Sequence, residues 1–346
     1  MDKKDEIILQ QLETIRTMTE RNLRSMGGDF WGTPFENVTG APEKKPASKD
    51  GGGKPAAAQP AEKKADEPEP LPKENLADLQ AELDSYIGLA DVKEEVKNLI
   101  NMVNVYKLRR AHDLPTTDMS LHMVFTGNPG TGKTMMARMM ARIYRSLDIL
   151  SKGQLVEVDR SGLVAGYVGQ TALKTQKVIE KAMGGVLFID EAYALNGKSE
   201  NDFGQEAIDT ILKAMEDHRD DLVVIVAGYT DLMEKFIHSN PGLESRFNRF
   251  LRFEDYSPDE MLAIFRMQCK KGCYQLAEGT EELVRDYINE ENGDPETFGN
   301  ARGVRNCFEH ILVAQNNRLA AMESVTKDDL MTIIPDDVLY ARGKLD

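Results

Sequence analysis

The sequence predicts an α/β domain with a five-stranded parallel sheet between helices, preceded by a disordered linker and followed by a smaller helical domain. Short apolar runs alternate with helical stretches between residues 76 and 256, and this alternation is typical of a parallel sheet covered on both faces. The strand pattern stops at Ser257-Pro258, and only helical stretches follow. Residues 41–72 are rich in Pro, Gly, Ala and mixed charge, a composition that cannot bury a core.

Residues 1–28 predict an amphipathic helix, because Ile8, Leu12 and Ile15 recur on one face before two glycines end the pattern. Residues 29–75 then hold an aromatic tag, Phe-Trp-Gly-Thr-Pro-Phe, and the linker. A helix and an aromatic tag on a long tether favour a recognition element held near its target. The alternative is a weak helix with a solubilising tail.

The α/β domain is expected to span residues 76–256 and the helical domain residues 257–346. The predicted strands are Leu121–Thr126, Leu155–Asp159, Val186–Asp190, Leu222–Gly228 and Phe250–Phe253. The predicted helices cover about 76–83, 91–111, 135–144, 170–183 and 203–218 in the first domain, and about 258–272, 280–291 and 300–322 in the second.

A glycine-rich octapeptide separates the first strand from the next helix. It reads Gly127, Asn128, Pro129, Gly130, Thr131, Gly132, Lys133 and Thr134. The pattern G-x-x-x-x-G-K-[ST] between a strand and a helix identifies a phosphate-binding loop. Its glycines let consecutive backbone N–H groups point at phosphates, helped by the helix dipole. We expect Lys133 to reach the β and γ phosphates of ATP, and the Thr134 hydroxyl to ligate Mg²⁺.

Two carboxylates follow the third predicted strand. Asp190 is expected to hold the Mg²⁺ shell, and Glu191 to act as the general base toward an attacking water. A strand followed by a polar turn would give the same local pattern. The phosphate loop in the same chain favours the catalytic interpretation.

Composition narrows the classes of function. The 346 residues carry a net charge of −15 and are 41% hydrophobic, so a core is possible and broad binding to nucleic acid or anionic membranes is disfavoured. The charged N-terminus lacks a signal-peptide core, and the longest apolar run, 222–228, is too short to span a bilayer. Cys269 and Cys273, expected on one helix, and Cys307 are predicted to be structural thiols in the cytoplasm.

The motifs resemble those of the AAA+ ATPases over about residues 80–340. Beyond the phosphate loop and its two carboxylates, Gly242–Phe247 resembles an arginine-finger segment, and Gly299–Arg302 resembles sensor 2 at the start of a lid helix. The resemblance narrows to the CbxX/CfqX group, which contains the red-type Rubisco activases and the stage V sporulation protein K type. The segments that carry it are 161–175, 227–233, 239–242 and 300–306.

The resemblance implies a hexameric ring that uses ATP to remodel a protein client. In such a ring, Ile87 and Gly88 would contact adenine. Arg246 would reach the γ-phosphate bound by the neighbouring subunit, and Arg302 would contact phosphate from the lid of its own subunit. Arg249 is the alternative to the first of these arginines, and Arg305 is the alternative to the second.

Two tyrosines have open interpretations. Tyr167 lies in Gly-Tyr-Val-Gly, a loop that the resemblance places at the central pore, where the ring would grip an extended peptide. Packing at the loop base is the alternative. Many AAA+ proteins place an Asn at the end of the fourth strand to position water. Tyr229 is nearest that position here, and its hydroxyl could orient water or its ring could pack.

Three functions follow from these patterns. The first is an ATP-driven motor that remodels a protein through pore loops. The second is an ATP-gated assembly switch or scaffold without threading. The third is a nucleic-acid motor or clamp loader, and both the acidic charge and the non-basic pore loop argue against it.

Overall fold

The computed structural model describes residues 70–116, 120–167, 169–197 and 203–344. The predicted N-terminal helix, the aromatic tag and the linker up to residue 69 lie outside the described residues. The first described residues already contact the α/β domain, because the Leu71 backbone N–H donates a hydrogen bond to the Lys152 carbonyl (2.9 Å). In the described ranges, no helix has both the length and the apolar character needed to cross a membrane.

A five-stranded parallel sheet forms the centre of the first domain, as predicted. Its strand order is β2-β3-β4-β1-β5. In chain order the strands are β1 (Met123–Gly127), β2 (Leu155–Val158), β3 (Val186–Ile189), β4 (Val223–Gly228) and β5 (Phe250–Phe253). Since every pair is parallel, all carboxyl ends meet at one edge, which we call the carboxyl edge. The opposite edge is the amino edge.

Helices cover both faces of the sheet. They are α1 (Leu76–Ser85), α2 (Ala90–Ala111), α3 (Lys133–Ser146), α4 (Arg160–Leu163), α5 (Thr171–Ala182), α6 (Gly204–Asp217), α7 (Thr230–His238) and α8 (Pro241–Arg246), with a 3₁₀ turn at Ala192–Leu195. Alternate residues of β1 enter different cores. Phe125 packs with α1, α2 and α3 on one face, whereas Val124 packs with α5, α6 and α7 on the other. The central strands are therefore buried along their whole length.

The second domain, the lid, begins where Ser257 and Glu260 form a capping box with Pro258 in the first turn. Its helices are α9 (Pro258–Lys271), α10 (Thr280–Glu291), α11 (Pro295–Phe298), α12 (Ala301–Ala320), α13 (Lys327–Met331) and α14 (Pro335–Ala341). Aromatic rings fill its core, and Phe265 meets Phe308 edge-on with centroids 5.4 Å apart.

Two expectations for the lid are wrong. The lid is not all helical, because Gln275–Leu276 (β6) pairs in parallel with Thr332–Ile333 (β7), and strands this short leave no apolar run in a sequence. Cys269 and Cys273 do not share a helix. The first is buried in α9, but the second follows the helix end, exposed and at φ 58°. Burial raises the pKa of the Cys269 thiol to about 12, as expected for a structural thiol.

Candidate nucleotide site

A cavity of about 450 Å³ lies at the carboxyl edge of the sheet, within the size range of ligand pockets. Its walls come from the ends of β1 to β4, from the start of α3 and from the lid. The lining residues are Gly127, Pro129, Gly130, Gly132, Lys133, Thr134, Met135, Glu157, Asp190, Glu191, Gly228, Tyr229, Arg302 and Arg305. Most of the residues predicted to bind nucleotide are therefore brought together here.

The glycine-rich loop adopts backbone conformations that side chains would oppose. Gly130 and Gly132 have φ of 73° and 96°, in the left-handed region that favours glycine. A Cβ on Gly130 would also lie 2.1 Å from the Gly299 carbonyl oxygen of the lid. The loop leads directly into α3, which begins at Lys133, so the free N–H groups of that helix N-terminus face the cavity.

Lys133 is a largely buried cation whose hydrogen bonds go to backbone carbonyls. Its Nζ donates to the oxygens of Gly127 and Asn128, at 2.7 Å each. Burial lowers the pKa of Lys133 to about 8, although the charge of Asp190 opposes this effect. A buried ammonium with neutral partners gains from an incoming anion, because an opposite charge restores the stabilisation lost on leaving water. This donor set fits a phosphate group.

Three carboxylates line the same cavity. Asp190 follows β3, and its Oδ1 accepts the Glu191 backbone N–H (3.0 Å). Glu191 adopts a left-handed conformation, φ 48° and ψ 42°, and backbone strain of this kind clusters at functional sites. Glu157, which the sequence did not single out, pairs with Arg138 (3.0 Å). Burial raises the pKa of the Glu157 carboxyl, and Arg138 opposes the shift.

Oxygen ligands of this kind suit Mg²⁺. The Thr134 hydroxyl and the Asp190 carboxylate line one cavity, so the residues present fit a magnesium ion that also contacts phosphate. Glu191 lines the same cavity and would remain free to act on a water.

Tyr229 lines the cavity at the end of β4, and Tyr193 stands beside it with ring centroids 6.3 Å apart. A Cβ on Gly228 would lie 2.7 Å from the Tyr193 ring, so that ring fills the space over the glycine. Burial raises the pKa of Tyr193 to about 12, and the charge of Glu191 adds to the shift. From the sequence, the polar segment beginning at Tyr193 could be a second pore loop or a surface loop, and its place beside the cavity was not expected.

Both candidate lid arginines line the cavity. Arg302 lies in the first turn of α12, next to the phosphate loop. Arg305 is one turn further on, and its Nε donates to Glu309 (2.9 Å). The ion pair occupies Arg305 and favours Arg302 as the phosphate contact.

Four predicted nucleotide contacts do not line this cavity. The Asn128 amide turns to Asp255 (3.1 and 3.0 Å), and the Thr131 hydroxyl donates to the Asn128 carbonyl (2.8 Å). Ile87 packs against the lid core. Gly88 lies beside it, and a Cβ there would be 3.1 Å from the Tyr256 ring. The segment proposed for adenine is thus at the junction between domain and lid.

The candidate finger arginines lie at the amino edge. The Ser120 hydroxyl donates to the Arg246 carbonyl (2.7 Å), and the extended chain from Ser120 to Gly127 spans roughly 20 Å. Arg246 forms an ion pair with Glu216 (2.5 Å) at the surface. Arg249 instead points inward, donating to the Ser120 carbonyl (3.1 Å). An arginine side chain at either position is too short to reach the cavity of the same chain.

Tyr167 lies on a projecting loop between α4 and α5. Its side chain is 75% exposed, and Cβ atoms added at Gly166 or Gly169 would meet nothing within 4 Å. The alternative of packing at the loop base is not what the structure shows.

Family models match both domains of the chain. The ATPase family associated with various cellular activities (AAA) matches residues 123–255, and the AAA lid domain matches residues 257–345. Among solved structures, the FIGL-1 AAA domain has a TM-score of 0.53 at 17% identity, covering 76% of this chain and 83% of its own. That likeness concerns the fold alone.

Relatives are much closer in sequence. A CfxQ homolog of Guillardia theta is 44% identical over 274 residues, 78% of this chain and 93% of its own. The chloroplastic ribulose bisphosphate carboxylase/oxygenase activase of Cyanidioschyzon merolae is 44% identical, with 78% and 92% covered. Stage V sporulation protein K of Bacillus subtilis is 40% identical, with 76% and 82% covered. The chain therefore belongs to the CbxX group of AAA ATPases.

Proposed function

We propose that this protein is a Mg²⁺-dependent ATPase that assembles into a ring, most simply a hexamer, and remodels a protein client. The observation that carries the proposal is the separation of two sets of residues. The cavity at the carboxyl edge gathers Lys133, Asp190, Glu191 and Arg302, whereas Arg246 lies at the amino edge beside Ser120. Hydrolysis that needs both sets requires two subunits.

Each residue at the cavity has a role in this scheme. Backbone N–H groups of the loop and Lys133 bind the phosphates of ATP, and Arg302 contacts them from the lid. Thr134 and Asp190 hold Mg²⁺, which when bound neutralises charge on the β and γ phosphates. Glu191 accepts a proton from the attacking water, and Tyr229 orients that water through its hydroxyl. The products are ADP and phosphate.

Arg246 of a neighbouring subunit completes the site by stabilising negative charge that develops on the γ-phosphate. Its position at the end of α8 and at the protein surface supports this role. Arg249 is less suited, because its guanidinium is held inward by the Ser120 carbonyl and contacts the Met102 sulfur.

A subunit-mixing experiment tests the shared site. Glu191→Gln removes the general base but keeps Arg246. Arg246→Ala removes the arginine but keeps Glu191. Each variant alone should be almost inactive. Mixed in equal amounts, they should recover ATPase activity, because some interfaces then combine an intact Glu191 with an intact Arg246. A mixture as inactive as its parts, with rings shown to exchange subunits, would contradict the proposal.

Tyr167 is proposed to grip an extended segment of the client in the central pore. Its high exposure supports this role, since aromatic rings bind peptides without reading their sequence. Tyr167→Ala should retain ATPase activity and lose client remodelling, and Tyr167→Phe should retain both. An ATP-gated switch without threading would instead work normally with Tyr167→Ala.

We further propose that residues 1–40 help to recognise the client. Glu191→Gln, which should hold ATP and stay closed on its target, would capture the client in amounts that fall when residues 1–40 are removed. Equal capture by both forms would place recognition in the ring itself.

A further inference from the structure

Asn300 lies where the lid, the interdomain segment and the phosphate loop meet. It is fully buried, with 0% of its surface exposed. Its Nδ2 donates to the Asp255 carboxylate (2.8 Å) and to the Pro129 carbonyl (3.3 Å), and its Oδ1 accepts the Tyr256 backbone N–H (2.9 Å). One side chain of the lid therefore bonds both the interdomain segment and the phosphate loop, which are far apart in the sequence.

Asp255 extends this contact to the loop side chain. It lies between the end of β5 and the start of α9, and both of its carboxylate oxygens accept from the Asn128 amide (3.1 and 3.0 Å). Because Asn300 donates to the same carboxylate, Asn128, Asp255 and Asn300 form one chain of hydrogen bonds. We call these three residues the lid latch.

Four consecutive backbone carbonyls of the phosphate loop accept hydrogen bonds, and the lid latch supplies one of them. Lys133 donates to the carbonyls of Gly127 and Asn128. The next two carbonyls are bonded from the lid, Pro129 by the Asn300 side chain (3.3 Å) and Gly130 by the Ala301 backbone N–H (3.3 Å). A carbonyl oxygen that already accepts a hydrogen bond repels an incoming phosphate less. The N–H groups of the loop are thereby left to face it.

The backbone of Asn300 is strained, at φ 54° and ψ −127°. Glycine would adopt this conformation more easily, so a non-glycine residue is strained there. The hydrogen bonds of the buried amide must offset that cost. This arrangement is expected where the side chain itself is needed.

We infer that Asn300 and Asp255 are positioning residues, which hold the phosphate loop ready for ATP and fix the lid against it before any nucleotide arrives. Lid position and nucleotide affinity are then coupled through neutral hydrogen bonds to the loop backbone, separately from the charge of Arg302. This inference rests on the proposed function only in taking the cavity as the ATP site.

Asn300→Gly tests the inference, because glycine accepts the backbone conformation and removes only the side chain. The expected result is a KM for ATP about tenfold higher with kcat changed less than threefold. The variant loses one hydrogen bond to the phosphate loop, at Pro129, and two to the interdomain segment, at Asp255 and Tyr256. Asp255→Ala should raise KM similarly, and the double variant should be no worse than either single variant, because the residues act as one unit. Asn306→Ala, at an exposed position of the same helix, is the control and should behave as wild type.

A distance measurement in the intact chain supplies the second readout. Spin labels go on Asp209→Cys in α6 and Asn289→Cys in α10, both exposed, in a Cys273→Ser background that removes the exposed native thiol. Labelled subunits are diluted with unlabelled ones, so that only distances within a subunit are read. Without nucleotide, Asn300→Gly should broaden the distance distribution that wild type shows as narrow. A saturating non-hydrolysable ATP analogue should narrow it again.

Unchanged KM together with an unchanged nucleotide-free distribution in Asn300→Gly would overturn the inference. A lower melting temperature with normal KM and normal distances would also overturn it, because it would indicate a purely structural role. A wild-type chain that bound no ATP would instead overturn the proposed function. The nucleotide-free distances would still decide whether the lid latch fixes the lid.

Discussion

The two edges of the central sheet differ in how their polar groups are used. At the carboxyl edge, Lys133 and Glu191 face a cavity, one with a lowered pKa and the other with a strained backbone. At the amino edge, polar groups bond to one another. His122 Nδ1 accepts the Val224 N–H (3.0 Å), and Arg249 donates to the Ser120 carbonyl (3.1 Å). The carboxyl edge is therefore open to a ligand, whereas the amino edge is held by its own hydrogen bonds and places Arg246 beside Glu216 at the surface.

The largest effect on ATP hydrolysis should come from Arg246 at the amino edge, and the neighbouring Arg249 serves as its comparison. Arg246→Ala should lower kcat by a factor of about 10³ or more, as for other arginine fingers, with ATP affinity unchanged. Arg249→Ala should leave kcat within tenfold and lower the melting temperature, because the Ser120 carbonyl loses its donor. Steady-state ATPase assays and thermal unfolding distinguish them. The reverse pattern would transfer the finger role to Arg249.

The next largest effect is a pH dependence of the free energy of unfolding, caused by His122 at the amino edge. Burial lowers the pKa of His122 to about 4 from its usual 6.5, with the charge of Arg246 adding to the shift and the Met215 carbonyl opposing it. The unfolded chain therefore binds a proton between pH 6.5 and 4 that the folded chain does not. Stability should be full above pH 6.5 and fall by on the order of 3 kcal/mol as pH drops to 4.

Urea unfolding at pH 7 and pH 5 measures this contribution. His122→Gln should flatten the difference between the two pH values, and His218→Gln, at an exposed position, should keep it. An equal pH dependence in His122→Gln and wild type would show that the amino edge is not stabilised in this way.

A smaller effect is expected from the tyrosine pair at the carboxyl edge. Tyr229→Phe should lower kcat about tenfold, because the hydroxyl that orients water is lost. Tyr193→Phe should stay within twofold, since the ring that covers Gly228 is kept. Single-turnover hydrolysis reports the chemical step directly. Equal rates for both variants would indicate that the two rings only pack.

The smallest effect should come from Glu216. The Glu216 side chain is 70% exposed and that of Arg246 is 29% exposed, and pairs open to solvent on one side contribute little to stability. Glu216→Gln should change kcat less than threefold, measured across protein concentrations that span ring assembly. A loss comparable to that of Arg246→Ala would mean that the amino edge holds its arginine through this carboxylate.

The sequence predicted most of the carboxyl edge, because its residues are consecutive. The phosphate loop and Asp190-Glu191 are local patterns tied to the ends of apolar strands. Glu157 and Asn300 were not assigned roles, since their importance depends on neighbours far away in the chain, Arg138 and Pro129. The strands β6 and β7 were not predicted either, because their pairing also joins residues that are distant in the chain. Two residues are too few for a period, and only tertiary contact creates them.

The order of the strands also bears on how the chain folds as it is made. Strand β1 lies inside the sheet between β4 and β5, but both of these partners follow it in the sequence by roughly 100 residues or more. At about 5–20 residues per second, β1 waits at least about 5 s on the ribosome before either neighbour exists. During that time an apolar strand, Met-Val-Phe-Thr-Gly, has no native partner to pair with. During synthesis the α/β domain should therefore depend on chaperones more than the lid does, since the paired lid strands β6 and β7 lie only roughly 60 residues apart.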